Sequence, residues 1–214
     1  MSLLLPNPAR HEVAVGLQRH FSRARDPKPG EIWDFDCPLA EKAGGQAASM
    51  RQIYFPEPSK KPSFLFASCF PRARETAQLM WPESTVLDDM RLGPKNAATA
   101  DHEWAAIQNV SVTASGAEIY AVAPNLVEVA GHGIVGSVYE TVAHLHDGNF
   151  AWLASHCPYT DVAALIFREK LLGLPKGTGW YPGQFGSGAF LWLVFGDSDR
   201  TLKRVEYYPA LLPR

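Results

Sequence analysis

Basic residues are too few in this chain to hold a polyanion by charge alone: 20 Lys and Arg stand against 22 Asp and Glu, giving a formal net charge of −2 and a pI of about 6.4. That balance excludes the electrostatic footprint of a nucleic-acid or anionic-membrane binder, so any anionic ligand must be caught locally. Long hydrophobic runs are missing too. The stretch from Met1 to Pro8 offers three leucines and no basic flank, too little for a signal peptide or a spanning helix, and the protein is expected to be cytoplasmic. Cysteine is scarce: Cys37, Cys69 and Cys157 are odd in number and form no Cys-x-x-Cys pair, which argues for free thiols and against a zinc site. A cysteine-dependent phosphatase is excluded by spacing, because the arginine it needs six positions after the thiolate is replaced by Ala43, Glu75 and Ala163.

What is present is an ordinary globular composition, 46% hydrophobic and 20% charged over 214 residues, which leads us to expect a single domain over 1–214. Residues 12–18 (EVAVGLQ) form a mostly apolar run that ends at Arg19-His20 and reads as a buried strand. A helix is expected from Asp36-Cys37-Pro38, with Leu39, Ala43, Ala47, Met50 and Tyr54 on one face. Strands follow at 63–68, 85–87 and 150–155, with helices at 72–80, around Val135 to Leu145, and at 160–171. The chain ends in an expected hairpin, 189–195 against 201–207. The least regular stretch, about 97–131, suggests an inserted lid or hairpin, with alternation at 110–113 and 119–123. Alternating strands and helices predict an α/β three-layer sandwich: a mainly parallel sheet, helices on both faces, and an antiparallel C-terminal edge hairpin.

In such sheets ligands bind beyond the carboxyl ends of the strands. Arg19-His20, the segment Ser68 to Arg72, Asp88-Asp89 and His156 all follow expected strands. Two arginines and two histidines would then meet on one rim, a cluster suited to phosphate, since guanidinium forks match phosphate oxygens in pairs. Arg19 and Arg72 would bind a transferring phosphoryl group, His20 would act as the nucleophile, and His156 would donate to the phosphoryl oxygens. No metal or other cofactor is required by this scheme. Ser22, Arg23 and Ser68 are further candidates for phosphate or substrate contacts, and Asp89 and Glu103 are candidate proton donors.

These residues resemble the motifs of the histidine phosphatase superfamily, the phosphoglycerate mutase-like proteins. Its first strand ends in Arg-His-Gly, similar to Arg19-His20. Its Ser before Arg-Ala-x-x-Thr-Ala is similar to Ser68-Cys-Phe-Pro-Arg72-Ala-Arg-Glu-Thr76-Ala77, and its Ser-His strand end to Ser155-His156. Pro158, the segment from Asp36 and Phe185-Gly-Ser-Gly-Ala are similar to the small bacterial phosphohistidine phosphatases. The resemblance spans 12–94 and 133–207 and implies a nucleophilic His20, phosphate-binding Arg19 and Arg72, and a supporting His156.

Two departures stand out. Phe21 replaces the family's small residue after the histidine, so a bulky ring is expected in a loop that approaches the phosphate. Pro94 stands where the family's acidic donor is expected.

The expected function is that of a metal-independent phosphatase acting on a phosphorylated small molecule or phosphoprotein, with a phosphohistidine or a phosphoester as the substrate group. The alternatives are a phosphomutase of the same superfamily and a non-catalytic phosphate-binding regulatory module. A competing motif, Gly131-His-Gly133-Ile-Val-Gly136, fits a dinucleotide turn if a strand precedes it, but the next strand ends in Ser155-His156 where a ribose-binding acid belongs.

Overall fold

The apolar run that ends at Arg19 is continuous because its strand is covered on both faces and paired on both edges. In the computed structural model β1 (Glu12–Arg19) lies between β4 (Phe150–Ser155) and β5 (Phe190–Gly196), in a sheet ordered β3-β2-β4-β1-β5-β6. The structure describes residues 8–25, 37–57, 59–93, 106, 116–157, 159–176, 178–179 and 186–210. Strands β2 (Phe64–Ala67), β3 (Leu87–Asp88), β4 and β1 run parallel, while β5 pairs antiparallel with both β1 and β6 (Leu202–Tyr208). The expected fold class is the observed one. No helix among the described residues is long and apolar enough to cross a membrane.

Side-chain alternation along the strands divides the core in two. Val13, Val15 and Leu17 face α3 (Gly116–Val122), α4 (Pro124–Ala143) and α5 (Tyr159–Leu172), whose buried residues include Ile119, Ile134 and Phe167. Ala14 and Trp152 face α1 (Ala43–Tyr54) and α2 (Pro71–Met80) across a layer rich in aromatic rings, Tyr54, Phe190 and Trp192 among them. Gly16 makes room here: a Cβ on it would come within 2.1 Å of the Trp152 ring, whose Nε1 donates to Gln18 Oε1 at 2.9 Å.

Two local expectations are corrected, and the rejected glycine motif is accounted for. Helix α1 starts at Ala43 and not at Pro38, because the backbone there is used elsewhere: Ala24 N donates to Pro38 O (2.9 Å) and Ala40 N to Ser22 O (2.8 Å), clamping the loop that follows His20. Residues 119–122 belong to helix α3 and not to a hairpin strand, and Ala123 is the cap that leads into α4. Ile119 and Ala123 are both buried four residues apart, and the Ala123 N–H donates to Ile119 O. Residues 110–113 lie outside the described residues. The glycines 131, 133 and 136 all sit inside α4, so no strand-turn-helix exists there. Gly131 serves helix packing, since a Cβ would lie 2.6 Å from Val162 of α5.

Phe21 also departs from expectation. Its ring is fully buried in the α1–α2 side of the core, and its N–H donates to Thr76 Oγ1 at 3.0 Å. Space for it comes from Gly188, at φ +83°, where a Cβ would lie 2.7 Å from Phe21 Cδ1. We expect Gly188→Ala to destabilise the fold by about 2 kcal/mol or more, combining left-handed backbone strain with the overlap. Gly148, at φ +74° with nothing within 4 Å of a Cβ, provides the comparison: Gly148→Ala should cost only about 1–2 kcal/mol. Urea denaturation of both variants checks this, and equal losses would mean that the Phe21 overlap contributes nothing.

Candidate active site

The register of three parallel strands assembles the site. Arg19 of β1 is the partner of Ser155 of β4, so the next residues, His20 and His156, emerge side by side; the His20 N–H donates to Ser155 O at 2.9 Å. Their rings lie 5.2 Å apart, centroid to centroid, tilted by 54°. On the other side of β4, Ala67 pairs with Ala154, and Ser68 N donates to Ala154 O at 3.0 Å. Two residues beyond Ser68, Phe70 caps α2 in an extended conformation, and Pro71 opens the helix with the fixed φ that suits its first turn. Arg72 follows in that turn, 1% exposed, with His20 at 3% and His156 at 2%.

The hydrogen bond made by His20 decides its tautomer. Nδ1 lies 2.6 Å from Phe21 O, and a carbonyl only accepts, so Nδ1 carries the proton and Nε2 keeps the lone pair. Burial holds the His20 pKa well below 6.5, reinforced by His156, Arg72 and Arg19 and opposed only by that hydrogen bond. His156 is lowered likewise, by burial first and then by Arg72, Arg19 and Arg23. Both imidazoles are therefore neutral near pH 7. Both ring nitrogens of His156 are buried with no hydrogen-bond partner among the described residues. Buried polar atoms rarely stay unsatisfied, and a tetrahedral anion held by the guanidiniums would supply an acceptor.

The remaining candidates separate clearly. Arg23 is brought close enough for its charge to act on His156, and its segment, with half-buried Ser22, is fixed by the bridge to Leu39. The Ser68 hydroxyl is buried, lies 3.5 Å from Phe70 N, and occupies the space beside Gly93, where a Cβ would approach it to 2.3 Å. Asp89 is committed to a clamp. It accepts from Arg91 N (2.9 Å), Nε (3.0 Å) and Nη2 (2.8 Å) and from Ser137 Oγ (2.6 Å). Burial alone would raise its pKa, yet the Arg91 and Ser137 hydrogen bonds outweigh that and leave it below the usual value. A carboxylate so held is a poor proton donor. Glu103 and Pro94 lie outside the described residues. Cys157 is a free thiol pushed up to about 12, chiefly by burial and then by Asp161, which makes it a poor nucleophile. Arg10-His11, the other Arg-His pair, sits at the opposite end of β1 with His11 exposed beside Asp147.

Solved structures supply the comparison. Bacillus stearothermophilus YhfR superposes with a TM-score of 0.63 at 15% identity, over 94% of this chain and 98% of its own. A mycobacterial glucosyl-3-phosphoglycerate phosphatase gives 0.61 at 17%, over 94% and 100%. Phosphoglycerate mutase from Bacillus anthracis gives 0.55 at 16%, over 92% and 94%. The fold is that of the histidine phosphatase superfamily. No protein-family model matches the chain, and no curated protein matches it by sequence. Within this histidine phosphatase fold, sequence reasoning overlooked Phe70, whose ring meets the His156 ring edge to face at 5.6 Å and 86°. Its place two residues before Arg72 is the one signal that could have revealed it.

The two depressed histidines carry a stability consequence. An unfolded imidazole takes up a proton as pH falls through about 6.5, whereas these folded ones resist until lower pH, so the unfolded state binds more protons and stability falls on acidification. The expected loss is about 1.4 kcal/mol per pH unit for each histidine below pH 6.5. Urea unfolding from pH 7.5 to 5 should show a shallower decline in a His20→Gln, His156→Gln double variant. Parallel curves for the two proteins would contradict the neutral, buried assignment.

Proposed function

We propose that this protein is a phosphatase that transfers a phosphoryl group to Nε2 of His20 and then to water. The observation that carries this reading is the pair of abutting, buried, neutral imidazoles in the field of Arg19, Arg72 and Arg23, with the His156 nitrogens unpartnered. In the first step the Nε2 lone pair forms the N–P bond as the P–O or P–N bond to the leaving group breaks, and the leaving group departs with that electron pair and takes a proton from solvent. Arg19 and Arg72 neutralise charge on the equatorial oxygens, and the proton on a His156 nitrogen hydrogen-bonds to one of them. In the second step water forms a P–O bond and loses a proton, the N–P bond breaks, and His20 returns to its starting tautomer. Ser22, Arg23 and Ser68 line the approach. The charge neutralisation assigned to the guanidiniums leaves no step in this scheme that calls on a metal.

The structural relatives include a phosphatase and a mutase, which supports phosphoryl transfer as the reaction class. We favour hydrolysis over mutation. A mutase must return the phosphoryl group to an alcohol with a carboxylate handling the proton, and the nearby carboxylate of Asp89 is tied up by Arg91 and Ser137. The substrate is a phosphorylated small molecule or phosphoprotein.

Two measurements test this. Brief reaction with labelled substrate should leave acid-labile, base-stable phosphate that maps to His20. Label on His156 or on a cysteine in otherwise intact protein would refute the assignment. The second concerns the proton donor, which typically contributes on the order of 10²–10⁴ when the leaving group is a poor one. With Asp89 held ionised, kcat/KM should fall steeply across phosphates of rising leaving-group pKa, and Asp89→Asn should leave that slope unchanged. A flat series that steepens in Asp89→Asn would identify Asp89 as the donor.

A further inference from the structure

The turn that follows β3 is bonded to three parts of the fold at once. Met90–Leu92 form a single 3-10 turn, closed by Leu92 N donating to Asp89 O at 3.1 Å. Toward β2, Asp89 N donates to Ala67 O at 2.9 Å. Toward α4, the Asp89 carboxylate accepts from Ser137 Oγ at 2.6 Å, Arg91 pairs with Glu140, and the fully buried Leu92 side chain packs in the cluster that holds Ile134 and Val138. Toward β4, Leu92 O accepts from Ser155 Oγ at 2.6 Å. Ser155 is the fully buried residue before His156, and its own carbonyl accepts from the His20 N–H at 2.9 Å. One serine is thus bonded both to the loop start that carries His20 and to the turn.

We infer that this turn is a bracket for His156: Asp89 fixes it to α4 through Ser137, and Leu92 passes that position to Ser155 and so to the adjacent histidine. Asp89, Ser137 and Ser155 are then positioning residues, acting through the backbone and not on the substrate. The inference rests on the reading of His156 as a donor to the phosphoryl oxygens. Such a donor works only when its nitrogen meets the place where charge develops, and a displacement of about 1 Å costs on the order of a hundredfold in rate. The bond between Ser155 and Leu92 resists that displacement, because strand and turn cannot slide apart without stranding a buried hydroxyl and a buried carbonyl. Asp89 in this role affects the rate equally for every leaving group, which a proton donor does not.

Ser137→Ala is the decisive variant, because it removes one hydroxyl from the middle of α4 and leaves every strand residue unchanged. The probe that needs neither substrate nor turnover is the ring spectrum of 13C-labelled histidine, with the His156 signal assigned by its disappearance in His156→Gln. That signal should move in Ser137→Ala and in Ser155→Ala, and in the double variant by no more than in the larger single, since both cut the same chain of bonds. Val142→Ala, a buried truncation elsewhere in α4, should lower the stability to urea and leave the signal in place. With an aryl phosphate, kcat should fall about tenfold or more in Ser155→Ala and about threefold or more in Ser137→Ala, with KM changed less than about twofold and the same factor for every leaving group. If Ser155→Ala does not fold, Ser155→Cys, a weaker donor of similar size, takes its place in the cycle. An unmoved His156 signal in Ser137→Ala, additive displacements in the double variant, or an equal shift in Val142→Ala overturns the bracket, as does a kcat unchanged from the wild type in both single variants. A moved, non-additive signal in a protein that hydrolyses no phosphate supports the bracket, and in that case the phosphatase reading fails alone.

Discussion

The parallel pairing of β1 with β4 is the constraint on which the site depends. Because Arg19 faces Ser155, the first residues past each strand are two histidines, and their rings meet without any further device. A shift of one residue would turn Val13, Val15 and Leu17 toward the wrong layer and separate the histidines in the same movement. The packing of Val13, Val15 and Leu17 against α3, α4 and α5 thus also holds His20 beside His156. The same applies across β4, where the Ala67–Ala154 pairing places Ser68, and the helix cap after it places Arg72.

That arrangement puts chemistry and stability in tension. Enclosure of the two imidazoles, reinforced by the charges of Arg72 and Arg19, keeps both rings neutral, as a nucleophile toward phosphorus would require. It also leaves the His156 nitrogens unsatisfied inside the protein, a destabilising feature that a bound anion would relieve. The hydrogen bond from His20 Nδ1 to Phe21 O resolves the orientation: it fixes which nitrogen keeps its lone pair and fills the donor that would otherwise be stranded.

The strands and their ends were legible in the sequence because central strands covered on both faces appear as unbroken apolar runs, and 150–155 and 12–18 were read nearly to the residue. The four residues expected at the site, Arg19, His20, Arg72 and His156, follow from those ends. What was not legible depended on partners distant in sequence. Pro38 to Ala40 carry a helix-start pattern, but their backbone groups pair with Ser22 to Ala24. Residues 119–123 are too short an apolar stretch for periodicity to tell strand from helix, and only burial beside α4 decides. Asp89 looked like a free acid at a strand end, because nothing in the sequence shows that Ser137, 48 residues away, donates to it.

Phe21 shows how a local departure can be absorbed without touching the chemistry. A bulky residue after His20 would crowd the end of β1 only if its ring pointed outward, and here its backbone N–H is held by Thr76 while its ring enters the space left by Gly188. Gly188 in turn donates its N–H to the carbonyls of Arg19 and His20, so the residue that accommodates the ring also braces the loop that carries the histidine. Substitution of either residue alone would therefore be felt at His20.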